Sequence, residues 1–180
     1  PDPGPWTTEL RKRLDQEIQS TPDATELYQR AADLAHFQQD YDEAVRLLNK
    51  ALELSSGNPA LIENELAVIF ALRRQNLDDA LSLIEDAIAR SGEAPQLLDT
   101  RAMVRIARGE EQQAIEDLTL ALAAEDSATK YFHLAQAYEQ QGNLALAKAA
   151  FQRALGRGLT ATGVHPLERP SFEHLSQTLK

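Results

Sequence analysis

The sequence contains no cysteine, one methionine and one tryptophan among its 180 residues. The first absence excludes a disulfide framework, a thiol nucleophile and a cysteine-ligated zinc site, without fixing the compartment. Positive charge is also scarce: 18 lysines and arginines stand against 28 aspartates and glutamates, a net charge of -10. That balance opposes a phosphate backbone and favours basic or neutral partners, so nucleic acid is not expected as a ligand. No apolar run reaches the roughly 18 residues that a membrane span needs, and no basic-then-apolar segment of the signal-peptide kind opens the chain. The expectation is a soluble chain without a membrane partner. Since it begins at Pro1 rather than Met, it reads as a processed form or an excerpt of a longer polypeptide.

Motifs of catalysis are missing too. No Gly-rich phosphate loop follows a strand, and no G-x-S-x-G turn or HExxH pair occurs. His36, His133, His165 and His174 lie far apart in sequence and read as surface or groove residues rather than bases or metal ligands. The acidic pairs Asp78-Asp79 and Glu110-Glu111 fall at expected helix starts, where the helix dipole stabilises negative charge. No catalytic residue, metal or cofactor is assigned.

What is present is an internal period. Ala44, Leu48 and Ala51 recur as Ala80, Ile84 and Ala87, as Ala114, Leu118 and Ala121, and as Ala147, Phe151 and Ala154. Successive leading alanines are 36, 34 and 33 residues apart, within the range that marks stacked repeats. Alanine makes up only 28 of the 180 residues, so eight alanines at these eight places are not a product of composition. Twelve residues before each leading alanine stand Ala32, Val68, Ala102 and Ala135. Five residues before it come the turn pairs Gln39-Asp40, Gln75-Asn76, Gly109-Glu110 and Gly142-Asn143. Each unit therefore reads as helix, tight turn, helix, with small residues where two helices approach closely. Asp23 before Glu26, Asp40 before Glu43 and Asn76 before Asp79 predict N-caps. Pro59 and Pro95 suit first helical positions, and Gly57 and Gly92 suit helix stops.

Residues 25–158 resemble four consecutive tetratricopeptide repeats, with boundaries at 25–58, 59–94, 95–127 and 128–158. The fourth carries the likeness most clearly through Tyr131, Leu134, Ala135, Tyr138, Gly142, Ala147, Phe151 and Ala154. The third departs from the pattern at Arg101 and Arg105, whose stems should lie along neighbouring helices and whose heads should reach carboxylates such as Asp99 or Glu116. The resemblance implies an all-α, right-handed solenoid of antiparallel helix pairs.

The flanks are read by register. Counting 34 residues back from Ala44 reaches Leu10, followed by Leu14 and Ile18, so residues 7–20 match the second helix of a partial repeat; a simple capping helix is the equal alternative. Residues 1–24 thus form a linker, of which Pro1 to Pro5 have the composition, and a helix; Trp6 is expected to cover the exposed edge of the first helix, the alternative being a mobile side chain. At the far end, Leu159 to Pro170 reads as an irregular connection. A last helix, capped by Ser171 and striped by Phe172, Leu175 and Leu179, should cover the final repeat, the alternative being a helix offered to a partner.

In the family, the first helices of the pairs line the concave side, which is the default binding groove. Spacings of three and four place Glu26, Gln29, Asp33 and His36 there, then Ile62, Glu65, Ile69 and Leu72. Gln96, Asp99, Met103 and Ile106 follow, then Thr129, Phe132, Gln136 and Glu139. Five of these sixteen are acidic and none is lysine or arginine, which implies a protein or peptide partner with apolar anchors and basic flanks. The competing reading is that the acids follow the overall charge and the apolar residues pack between helices. Family members that clamp the C-terminal carboxylate of heat-shock chaperones present Lys and Asn on this face; Gln29, Asp33, Glu65 and Asp99 stand here instead, so that role is not expected. The functional expectation is a non-catalytic binding scaffold, with self-association through the N-terminal half-repeat as the alternative.

Overall fold

The computed structural model describes residues 4–179, and in it the side chain of Pro5 is left aside; most of the Pro1 to Pro5 linker lies outside the described residues. Ten α-helices are found and no strand is present among the described residues. They are α1 (Gly4–Ser20), α2 (Thr25–Phe37), α3 (Tyr41–Leu54), α4 (Ala60–Arg73), α5 (Leu77–Ser91), α6 (Pro95–Arg108), α7 (Glu111–Ala124), α8 (Ala128–Gln140), α9 (Leu144–Gly156) and α10 (Arg169–Thr178). No helix among the described residues is long and apolar enough to cross a membrane.

The helices pair as α2 with α3, α4 with α5, α6 with α7 and α8 with α9, and each pair stacks on the next. The reason lies in the periodic alanines. Ala44, Ala51, Ala80, Ala87, Ala114, Ala121, Ala147 and Ala154 are all 0% exposed. A methyl group there lets one helix lie close against its partner, and a longer side chain would force them apart. Between the alanines, Leu48, Ile84, Leu118 and Phe151 fill the space at the same register and are equally buried.

The turns within pairs follow one design. The amide of Asp40 donates to the Ala35 carbonyl at 2.9 Å, that of Glu110 to Arg105 at 2.9 Å, and that of Asn143 to Tyr138 at 2.8 Å. Such six-residue closures need a left-handed residue just before the donor, supplied by Gln39 (φ 62°), Gly109 (φ 77°) and Gly142 (φ 85°). In the second pair the closure falls on Gln75, which donates to Phe70 at 3.0 Å, with Arg74 left-handed. Asn76 is then left-handed as well, and this extra residue accommodates the longer interval between Ala44 and Ala80.

Capping agrees in part. Asp40 accepts from the Glu43 amide and Asn143 from the Leu146 amide, both at 3.2 Å. Asp23 makes no cap, because α2 starts behind Ala24, and the Asn76 side chain caps nothing. Ser171 is not an N-cap either: a 3-10 turn at Pro166–Glu168 runs into α10, which begins at Arg169.

Arg101 and Arg105 meet a different carboxylate from those expected. Asp117, on the facing helix and 3% exposed, takes two hydrogen bonds from Arg101 at 2.6 and 3.0 Å and one from Arg105 at 2.7 Å. Asp99 is engaged by His133, and Glu116 accepts from Gln112. One buried carboxylate held by two guanidinium groups replaces apolar packing in the third pair.

At the C-terminal end Phe172 of α10 completes a ring cluster with Phe132 and Phe151, at centroid separations of 6.0 and 5.4 Å. Leu175 and Leu179 are buried beside it, so α10 covers the last pair. At the other end α1 packs on α2 through Leu14 and Ile18.

Candidate functional site

The first helices α2, α4, α6 and α8 form a concave wall, and the segment between α9 and α10 crosses it. After Leu159 the chain enters the groove, places His165 against the opposite end of the wall, and returns through the turn Pro166–Glu168. Val164 is 4% and Leu159 8% exposed, burial that belongs to packed structure rather than to a surface connection.

Two polar anchors fix this loop. The first is His133 on α8, 2% exposed, with Nδ1 2.7 Å from Asp99 Oδ1 and Nε2 3.0 Å from Glu168 Oε1. A neutral imidazole has one N–H, so satisfying two carboxylates requires both ring nitrogens to donate. Burial alone would lower the pKa of His133, but the charges of Asp99 and Glu168 and their hydrogen bonds overcome it and raise the pKa to about 10. At neutral pH the site holds an imidazolium between two carboxylates.

The second anchor joins His165 to His36 on α2, Nε2 to Nε2 at 2.9 Å. The Leu167 amide donates to Nδ1 of His165 at 3.2 Å, so the single proton of His165 sits on Nε2 and is donated to His36. Both imidazoles are neutral in this arrangement, and burial lowers the pKa of each. Tyr41 on α3 packs against both rings, at 5.5 and 5.8 Å. The histidines read as scattered in sequence are therefore brought together in one pair.

The residues projected onto the groove are divided by this arrangement. Ile62, Ile69, Ile106 and Phe132 are buried between helices, Phe132 completely. Leu72, Met103 and Gln136 border the space left beside the loop, which comprises a cavity of about 270 Å3 reaching Asp99, Thr129 and His133 and a smaller one of about 100 Å3. Glu139 lies 3.2 Å from His174 of α10, and Gln96 reaches Glu125. Glu26 and Asp33 are exposed and Gln29 is half-buried on α2. Glu65, half-buried on α4, has its carboxyl raised to about 7 by burial and by the charge of Asp33. Acidity thus stays uncompensated at the α2–α4 end, while Asp99 at the α6–α8 end is matched by His133.

Sequence reasoning read the loop as an irregular connection and missed its burial in the groove. Its signal was present: Leu159 and Val164 are apolar residues inside a stretch otherwise rich in glycine, threonine and proline.

A second concavity lies at the N-terminal end. Trp6, Leu10 and Leu14 of α1 face Arg30, Leu34 and Phe37 of α2 across a cleft of about 530 Å3. Trp6 packs against Phe37 with the rings tilted by 49° and their centroids 5.5 Å apart, and the two remain 56% and 60% exposed.

Comparison with known families decides the architecture. The model of the tetratricopeptide repeat matches residues 25–58 and 131–157, segments that coincide with the first and last of the stacked pairs. The chain has the fold of a tetratricopeptide-repeat solenoid. The unmatched middle of the array holds the doubled left-handed turn at Arg74 and Asn76 and the Arg101–Arg105–Asp117 cluster. No curated protein sequence matches the chain. Among solved structures it is similar to PilW, a widely conserved type IV pilus biogenesis factor, at TM-score 0.76 and 16% identity over 96% of this chain and 81% of that one. A tetratricopeptide repeat protein from Parabacteroides merdae gives TM-score 0.78 at 13% identity, over 96% and 66%. MamA gives 0.67 at 18%, over 82% and 85%. At these identities the likeness concerns the tetratricopeptide fold.

Proposed function

We propose that this chain is a non-catalytic scaffold that binds an extended segment of another protein along its concave wall. The observation that supports this is the loop itself: a stretch of polypeptide already lies on that wall, held by His36 and His133 and seated by Val164. A surface that seats one irregular segment through side chains from several helices has the shape and polarity to seat another. Uncompensated acid at Glu26, Asp33 and Glu65 favours a basic group at the α2–α4 end of that partner.

Selection of random displayed peptides on the immobilised chain tests the reading. Binders should slow amide exchange in α2, α4, α6 and α8; protection confined to the outer helices α3, α5, α7 and α9 would reject it.

A second reading, self-association through the N-terminal end, is favoured by the cleft between α1 and α2. In each complete pair the first helix fills the equivalent place; here exposed Trp6 and Phe37 border it. Light scattering should then detect dimers whose population grows with concentration and falls on Leu10→Glu. A strict monomer at all concentrations dismisses this reading.

A further inference from the structure

The connection from Gly156 to Arg169 is longer than two packed helices require, since helix–helix connections in compact folds commonly take about 2–8 residues. The last pair is covered by Phe172 and Leu175 of α10 and by Leu179 after it, and Leu159 and Val164 of the loop join the same apolar cluster. Beside the loop the wall stays open in clefts of about 270 and 100 Å3, bordered by Leu72, Met103 and Gln136. Its anchors are those a ligand would use: a seated apolar side chain at Val164, and a carboxylate four residues later at Glu168 received by His133.

We propose that Leu159–Glu168 is an intramolecular occupant of the partner site, and that a partner displaces it with a segment of the same chemistry, an apolar residue followed four positions on by a carboxylate. This rests on the concave-wall reading and names the partner that wall selects. When the loop leaves, His133 keeps Asp99 through Nδ1 and turns an unsatisfied N–H toward the groove, at a depth where a lone buried charge is costly. An incoming carboxylate restores that bond, and an incoming lysine or arginine is repelled. Tethering gives the loop a local concentration in the millimolar range, so free peptide at micromolar concentration does not compete with it while it is seated.

The test uses the full chain and a fluorescent peptide of residues 159–170, read by anisotropy at pH 7. The loop is released by Val164→Asp, with folding checked by circular dichroism. The released chain should bind the peptide at least about tenfold more tightly than the unaltered chain. Glu168→Gln within the peptide should weaken binding by about tenfold or more, the range for a buried bond to a charged group. Equal binding by released and unaltered chains, or indifference to Glu168→Gln, overturns the proposal. If the released chain prefers a Glu168→Lys peptide on the same wall, the scaffold reading stands and this inference falls; if it binds neither peptide, both fall. Should Val164→Asp unfold the chain, His165→Ala combined with Glu168→Gln weakens only the polar anchors and takes its place. Collapse of that variant too identifies the loop as part of the core and overturns the proposal.

Discussion

Replacing His133 with asparagine removes a cation that donates to two carboxylates in a site where water barely enters. Asp99 and Glu168 are left facing each other, with side chains only 16% and 10% exposed. Removing one member of a buried charge cluster costs about 3–5 kcal/mol. For a chain of this length each kcal/mol moves the melting temperature by about 2–4 °C, so a drop on the order of 10 °C is expected at pH 7. The pH dependence carries the sharper signature. The folded pKa of His133, about 10, lies above its unfolded value near 6.5, so its contribution is complete below pH 6.5 and is lost as pH rises through 10. Melting followed by circular dichroism from pH 6 to 10 should show a decline in the unaltered chain that His133→Asn lacks. Stacked repeats contact only their neighbours, so amide exchange should loosen α8 to α10 before α2 to α5. A difference between the two proteins that stays constant from pH 6 to 10, or a cost below about 1 kcal/mol, would refute the imidazolium and its two bonds.

Four further outcomes follow from the same contacts. Ala80→Leu inserts bulk at a position that is 0% exposed and should destabilise by about 1–3 kcal/mol in chemical denaturation, whereas Ser82→Leu on the solvent side should be neutral within about 0.5 kcal/mol. Asp117→Asn leaves Arg101 and Arg105 half-satisfied and should cost about 3 kcal/mol, while Asp117→Asn combined with Arg101→Leu should recover part of that loss. Glu65→Gln should stabilise at pH 8 and not at pH 4.5: a carboxyl whose folded pKa is raised to about 7 weakens the fold as pH climbs from 4.5 through 7, and partial solvent access limits the gain to about 1–2 kcal/mol. Acid should loosen the loop at His36 and His165, because lowered folded pKa values give support that is present above pH 6.5 and lost below it. Asp33 opposes the lowering at His36; at His165 Glu168 opposes it while Arg169 reinforces it. Amide exchange of Val164 and Leu167 at pH 7 and pH 5, corrected for intrinsic rates, measures that release.

The sequence was most informative where a position tolerates one kind of side chain. Close helix packing demands small residues at fixed spacing, and the alanine series marks those contacts along the whole array. Left-handed turns were legible at Gly109 and Gly142, where glycine announces them, and less so at Gln39 and Arg74, where tertiary closure imposes the same conformation on costlier residues. The carboxylate for Arg101 and Arg105 was readable too: Asp117 follows Ala114 by three and precedes Ala121 by four, which places it on the buried face of α7 and opposite the arginines. Proximity along α6 and acidity on the exposed side drew the expectation to Asp99 and Glu116 instead.

The groove was less legible because its contents depend on contacts across more than a hundred residues. Helical projection put Ile62, Ile69, Ile106 and Phe132 on the inner side of their helices, but neighbouring helices cover them. No periodicity governs Leu159 to Glu168, so the pattern there indicated only a connection. The meeting of His36 with His165, and of His133 with Glu168, follows from the curvature of the stack and from where the chain leaves α9.

The seating of the loop on the concave wall is the claim on which the functional account turns, and the absence of native cysteine gives a direct way to measure it. A single cysteine is placed at the buried position by Val164→Cys or at the exposed neighbour by Thr162→Cys, and the rate of thiol labelling is compared between them at pH 7. The account predicts labelling at position 164 at least about tenfold slower than at 162, with the ratio approaching one when a groove-binding peptide is added. Equal rates in the free protein would contradict it.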